Sequence, residues 1–254
     1  MKIAHISDIH CNKGIDFNEK TFDKAAKMVN KIDADFVFIS GDLTTWGLIE
    51  EYELAKEKIK QIKGRIIVVP GNHDERNLGW RLFPEFFGDT DFVHEFDEIK
   101  LIGLASSEPD KDSGRLGRSR HKLIENAIKK ERKKTFIGFH HHVLPVPNSG
   151  RETNIIEDAG ETLDIILKNE VPLVLMGHRH VPWAVKIHKT LLVNAGTFSC
   201  TRTRAHFGNT FNIIDIDNDE IEISVVNINK EKEKKMIEFD LSDGCCKNKY
   251  YDID

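Results

Sequence analysis

Two apolar runs, Phe36-Val37-Phe38-Ile39 and Ile66-Ile67-Val68-Val69, constrain the fold most, because neither alternates with polar residues. A strand with one wet face alternates with period two, whereas an unbroken run marks a strand covered on both faces. Around these runs lie stretches of helical periodicity. Residues 17–31 put Phe22, Ala25, Ala26 and Val29 on one face, and residues 47–61 form a second such stretch. Strands alternating with helices predict an α/β sheet. Further strands are expected at 2–7, 92–96, 100–104, 135–139 and 172–176, and the two apolar runs extend to 35–40 and 65–70. Helices are expected at 118–133 and 158–169. Gly79, Pro84 and Gly88 make the intervening stretch read as a loose connection.

The last third reads differently. Residues 182–188, 190–194, 210–215 and 220–227 are strand-like with only short turns between them, so they are expected to pair antiparallel. The charged run 230–235 reads as a solvated face or loop. No Pro/Gly/Ser linker or repeat interrupts the chain, which is read as a single domain over 1–254. Its polar clusters lie within 8–180, its antiparallel strands within 182–227 and its tail within 230–254.

The 254 residues are 39% hydrophobic and 31% charged, enough to bury a full core. A net charge of −5 disfavours a basic nucleic-acid-binding protein. No apolar run approaches the roughly 18 residues of a membrane span. The N-terminus enters a strand without the apolar core of a signal peptide, so a cytoplasmic protein is expected. Cys11, Cys200 and the pair Cys245-Cys246 lack zinc spacing and read as reduced thiols.

Chemistry concentrates at the strand ends. Asp8-Ile9-His10, Gly41-Asp42, Gly71-Asn72-His73-Asp74, His140-His141-His142 and Gly177-His178-Arg179-His180 each follow an apolar strand. That is where open α/β sheets place their sites. Seven of the 12 histidines fall in these clusters. Imidazole and carboxylate donors together suit first-row transition ions such as Mn, Fe, Co, Ni or Zn. Asp8 with His10, and His178 with His180, lie two apart and point the same way if extended. Asp42 can bridge two ions through its two oxygens, and Asn72 offers a neutral oxygen. Six or seven donors exceed one tetrahedral site, so two ions fit better. His5, within a strand, reads as a core histidine.

This series resembles the calcineurin-like metallophosphoesterase superfamily, most closely its cyclic-nucleotide and glycerophosphodiester phosphodiesterase branch. The resemblance implies a four-layer α/β/β/α sandwich with two mixed sheets and a dinuclear centre. It assigns one ion to Asp8, His10, Asp42 and His180, and the other to Asp42, Asn72, His140 and His178. Any of the three consecutive histidines could be the ligand; the end of the strand favours His140, with His141 the alternative and His142 a pocket residue. His73 is then expected beside the ions as a catalytic acid, with Asp74 as its partner. The activity expected is hydrolysis of a small-molecule phosphodiester by in-line attack of a hydroxide bridging the two ions, with no covalent phosphoenzyme. A phosphomonoesterase acting on proteins or nucleotides, a nuclease or a lipid-precursor pyrophosphatase is the alternative. A non-catalytic interaction scaffold is more remote, because every donor type is retained. Arg115, Arg118, Arg202 and His142 are candidate substrate contacts, Arg being suited to phosphate. Arg120 and Arg204 flank them, and Trp46 and Trp80 could stack a base.

Overall fold

The two apolar runs and the N-terminal strand lie side by side and parallel. In the computed structural model, which describes residues 1–14, 16–129, 133–242 and 244–248, β1 (Lys2–Ile6), β2 (Phe36–Ile39) and β3 (Arg65–Val68) pair in that order. α1 (Glu19–Val29), α2 (Ile49–Ile59) and α3 (Gly79–Phe87) cover one face. Asn18 caps α1 by accepting from the Thr21 amide at 3.1 Å. Phe22, Ala25, Ala26 and Val29 of α1 are buried in one apolar layer with Ala4, Val37 and Ile39.

The stretch around Pro84 is a helix and not a loose connection. Phe83 is fully buried, and Leu82, Phe86 and Phe87 pack into the same layer. Pro84 points to solvent, so this apolar face outweighs the one ladder donor lost at proline. Gly79 opens the helix because a Cβ there would lie 1.9 Å from the Asp74 carbonyl oxygen.

β4 (Phe92–Glu95), β5 (Ile99–Gly103), β6 (Lys134–Gly138), β7 (Leu173–Met176), β8 (Trp183–Ile187) and β9 (Thr190–Asn194) form a second sheet in the order β4-β5-β6-β7-β9-β8. α4 (Gly117–Lys129) and α5 (Ala159–Lys168) cover its outer face. The expected end of α4 at 130–132 lies outside the described residues. β10 (Thr210–Asp217), β11 (Glu220–Asn227), β12 (Lys232–Asp240) and β13 (Cys246–Asn248) return to the first sheet, whose order is β13-β12-β11-β10-β1-β2-β3.

The late strands are thus divided between the sheets, and β9 pairs parallel with β7. Residues 232–235 of the charged run form the solvated start of β12, held in the strand because Met236, Ile237 and Phe239 bury apolar side chains in the inter-sheet layer. Of the expected tail, residues 249–254 lie outside the described residues. Both sheets are mixed, and Ile3, Phe38, Leu101, Phe136, Leu175 and Ile214 pack between them. The layers therefore run α/β/β/α. Gly138 lets the sheets meet, since a Cβ there would lie 2.1 Å from the Phe38 ring. Among the described residues, no helix is long and apolar enough to cross a membrane.

Candidate metal centre

All five polar clusters meet at the strand ends, on turns that few residues tolerate. Asp8, His10, Asp42, His178 and His180 have φ of 54°, 54°, 56°, 73° and 56°. Their backbone is left-handed rather than extended, a conformation that Asp and His enter more readily than most residues. Backbone hydrogen bonds hold these turns, including the Asp8 amide to the Gly41 carbonyl at 3.0 Å and the His10 amide to the Asp42 carbonyl at 2.9 Å. At Gly41, φ is +87° and a Cβ would lie 2.6 Å from the Gly71 nitrogen and 2.7 Å from His140 Nδ1. Only glycine fits there.

The donor atoms converge on Asp42. Its Oδ2 lies 3.5 Å from His10 Nε2 and 3.3 Å from His140 Nε2. His10 Nε2 is 3.2 Å from His180 Nε2, and His140 Nε2 is 3.2 Å from His178 Nδ1. Asp8 Oδ1 lies 3.1 Å from His180 Nε2 and 3.8 Å from His10 Nε2, and the Asn72 amide oxygen lies 3.0 Å from His178 Nδ1. The seven residues expected as ligands thus stand as two groups of donors flanking one carboxylate.

The His triplet divides by orientation. His140 donates from Nδ1 to the Ser40 carbonyl at 2.6 Å, which turns Nε2 toward Asp42. His141 turns away, with Nδ1 2.9 Å from Ser106 Oγ and Nε2 3.2 Å from the Asp112 carbonyl. His142 stacks on His178 at 5.6 Å, and its Nε2 approaches Glu152 Oε2 at 3.0 Å, off the line of a hydrogen bond. His5 meets Ser40 Oγ at 2.9 Å inside the core.

Charge and burial leave most of the imidazoles neutral. Burial pushes His10 down to about 4, against the pull of Asp8 and Asp42. Burial and the neighbouring His141 and His140 hold His178 well below its usual value. Burial opposes charge on His140 too, but Asp42 and Asp8 draw it up to about 9. Burial works against the Asp8 and Asp42 carboxylates as well, yet the surrounding imidazoles keep both well below the usual carboxylate range.

The expected pairing of Asp74 with His73 is not made. His73 donates from Nδ1 to the Thr45 carbonyl at 2.7 Å. Asp74 instead accepts from the Gly71 amide and from the Thr44 amide, each at 2.9 Å, and so ties the β2 loop to the β3 loop. A carboxylate so close to its own amides satisfies the turn before it can reach the next side chain. Burial and the charge of Asp42 push Asp74 up to about 7.

Burial likewise pushes Glu75 up to about 7 from 4.5. A carboxyl whose folded value is raised contributes stability that is fully present below pH 4.5 and lost as pH rises to about 7. Glu75→Gln should therefore melt at a higher temperature than the wild type at pH 8, and near the wild type at pH 4.5. Parallel thermal melts at the two pH values check this; equal differences would show that Glu75 does not titrate in this window.

A cleft of about 450 Å³ opens over the cluster, lined by Asp42, Asn72, His73, His178 and His180 among others. Of the arginines expected at the substrate, Arg202 lines it, with its guanidinium 3.2 Å from His10 Nδ1. Arg115 and Arg118 are exposed and lie outside the lining, although Asp112 of the loop before them belongs to it. The lining instead includes Arg76, Arg151, Arg179 and Arg204. Arg179 stands inside a quoted cluster, whereas Arg76 and Arg151 stand on loops without a motif to mark them. His142, Trp46 and Trp80 are also absent from the lining, although the Arg76 guanidinium sits 5.2 Å over the Trp46 ring. Cys200 has its sulfur within 4.8 Å of donors on His10 and His180. Burial raises that thiol, which makes it a poor ligand.

The donor set fits cations. Asp8 Oδ1 is buried without a hydrogen-bond partner, and two pairs of ring nitrogens face each other across 3.2 Å. Facing ring nitrogens beside two buried carboxylates, giving up their shared protons as an ion binds, are what an N/O site requires.

The model of the calcineurin-like phosphoesterase family matches residues 1–182. A probable cyclic nucleotide phosphodiesterase of Coxiella burnetii is 26% identical over 203 residues, covering 77% of this chain and 82% of that protein. A probable glycerophosphodiester phosphodiesterase of Arcobacter nitrofigilis is 29% identical over 213 residues, covering 78% of each. Among solved structures, a purple acid phosphatase of yellow lupin superposes with a TM-score of 0.73 at 14% identity, covering 92% of this chain. This chain spans 52% of that longer protein. The inner-membrane-complex anchor GAP50 of Plasmodium superposes at 0.66 with 11% identity, covering 92% of this chain and 88% of that one. The likeness to these two structures is one of fold. The family match runs through every one of the five strand-end clusters, and the chain belongs to the calcineurin-like phosphoesterase family.

Proposed function

We propose that this chain is a dinuclear metal-dependent phosphodiesterase. The observation that carries the reading is the position of Asp42 Oδ2, 3.5 Å from His10 Nε2 and 3.3 Å from His140 Nε2, with a second histidine behind each. Asp8, His10, Asp42 and His180 would hold one ion, and Asp42, Asn72, His140 and His178 the other. Bound there, the ions supply Lewis acidity, which activates water near neutral pH and offsets charge on phosphoryl oxygens.

The chain's own groups do the rest. The Ser40 carbonyl fixes His140 through Nδ1, and the Arg202 carbonyl fixes His180 at 2.7 Å, so each presents Nε2. The Thr45 carbonyl fixes His73 through Nδ1 in the same way and leaves Nε2 facing the cleft. Because burial lowers this imidazole, it acts as the acid only when doubly protonated, passing its Nε2 proton to the departing oxygen and keeping Nδ1–H. Asp74 keeps the two loops in register and acts as a positioning residue. Cyclic nucleotides and glycerophosphodiesters, the substrates in the names of the relatives, are the first to try.

Protein reconstituted with Mn²⁺ should hydrolyse bis(p-nitrophenyl) phosphate with a higher kcat/KM than p-nitrophenyl phosphate. A ratio below one would instead support a phosphomonoesterase. No turnover of either ester, with bound metal verified, would favour the scaffold reading. Exhaustive chelation should remove more than about 99% of the activity, and returning Mn²⁺ should restore it. Activity that survives chelation, with metal content measured in the same sample, overturns the metal dependence.

A further inference from the structure

The charge around the cleft exceeds what a simple diester needs. Arg76, Arg151, Arg179, Arg202 and Arg204 line it, no lysine does, and its acids are Asp42 and Asp112. Three of these arginines already face a carboxylate. Arg76 lies 2.6 Å from Asp112, Arg202 3.5 Å from Asp16 and Arg179 3.9 Å from Glu152. Arg151 and Arg204 have no ion pair among the described residues.

The backbone that carries Arg151 is tied to Arg204 and Arg179. Arg204 donates to the Ser149 carbonyl at 2.9 Å, and Arg179 donates to that carbonyl at 3.2 Å and to the Arg151 carbonyl at 2.9 Å. Gly150, at φ +85°, carries the backbone from Ser149 to Arg151 through a left-handed turn that favours glycine. One guanidinium nitrogen of Arg204 is thus anchored, and the rest of its fork has no hydrogen bond or ion pair among the described residues. Like charges held at one rim of a cleft repel each other unless an anion lies between them. A planar fork matches phosphate oxygens two at a time, which a lysine cannot do.

We infer that the substrate carries a second phosphoryl group besides the scissile diester, held uncleaved by Arg151 and Arg204. This rests on the phosphodiesterase reading for the first group and deepens it. A singly charged diester such as a 3′,5′-cyclic nucleotide would leave this rim without a partner. The ligand class is a small phosphodiester bearing a distal phosphomonoester.

The test is binding to Mn²⁺-loaded protein, measured by titration calorimetry at low ionic strength, of thymidine 3′,5′-bisphosphate and thymidine 5′-monophosphate. The bisphosphate should bind at least about tenfold more tightly, since charge-assisted hydrogen bonds to one added phosphate are worth a factor of that order. In Arg151→Gln, Arg204→Gln combined, the ratio of the two affinities should fall to about one. Reading a ratio within one protein cancels any loss of folding or of metal loading. A wild-type ratio of one, or a ratio unchanged in the double variant, overturns the inference while leaving diester hydrolysis standing. Loss of diester hydrolysis, in turn, leaves the ratio readable. Tighter binding of a thymidine oligonucleotide than of the bisphosphate, per phosphate occupied, would overturn it in favour of a strand-binding groove.

Discussion

Asp42→Asn should lower kcat/KM for bis(p-nitrophenyl) phosphate by on the order of 10³-fold and should reduce bound Mn²⁺ to below one ion per chain. The substitution is nearly isosteric, so the effect is one of charge. Asp42 is buried, its Oδ2 faces an imidazole on each side, and its Oδ1 accepts the His73 amide at 2.9 Å. An amide at this position keeps one oxygen and loses the negative charge that both groups of donors share. Its NH₂ group can also point a hydrogen at a ring nitrogen that would otherwise face a cation. Metal analysis with the rate separates the outcomes. Full metal content with the rate lost would make Asp42 a reacting group rather than a shared ligand, and wild-type metal and rate would sink the bridging role.

His73→Asn should give the second-largest effect, about 10²-fold in kcat on an alkyl phosphodiester, with metal content unchanged. His73 reaches the cleft while its Nδ1 is committed to the Thr45 carbonyl. It stands edge-on to His10 at 4.6 Å, close to the donor cluster but separately anchored. Asparagine keeps a polar side chain and removes the titratable nitrogen. Because p-nitrophenolate leaves without a proton, the loss on bis(p-nitrophenyl) phosphate should be several-fold smaller than on the alkyl ester. Equal losses on the two esters would mean that His73 serves the phosphoryl oxygens and not the leaving group. An alkyl ester hydrolysed at the wild-type rate would falsify the acid assignment.

The sheets were legible because burial on both faces writes itself as an unbroken apolar run, and Phe36–Ile39 and its neighbours appear as strands within a residue or two. The donors were legible because Asp8, His10, Asp42, Asn72, His178 and His180 each follow such a run. What stayed hidden depends on contacts remote in sequence. α3 forms around Gly79 and Pro84 because Phe83 and its neighbours find an apolar layer, which no local propensity reports. His140 and His141 are chemically alike and differ only in whether Ser40 or Ser106 is the nearer partner. The turn at Asp74 captures its own carboxylate, a local competition that a residue-by-residue role cannot foresee. Arg76, Arg151 and Arg204 reach one cleft from three separate loops. Arg115 and Arg118, adjacent in sequence to other basic residues, are exposed outside its lining.

The donors stand on both halves of the sandwich. Asp8, His10, Asp42 and Asn72 follow strands of the first sheet, and His140, His178 and His180 follow strands of the second. Among the described residues no ladder joins the two sheets, so their alignment rests on apolar packing such as Phe38 against Gly138 and on crossing hydrogen bonds such as His140 to the Ser40 carbonyl and the His178 amide to Asp8. That apolar seam behaves as the bearing of an instrument: sideways slip of the halves would separate Asp42 from His140 before any strand came apart. Enzymatic tolerance and thermal tolerance should therefore part company at the seam, with repacked variants that stay folded yet lose their catalytic alignment.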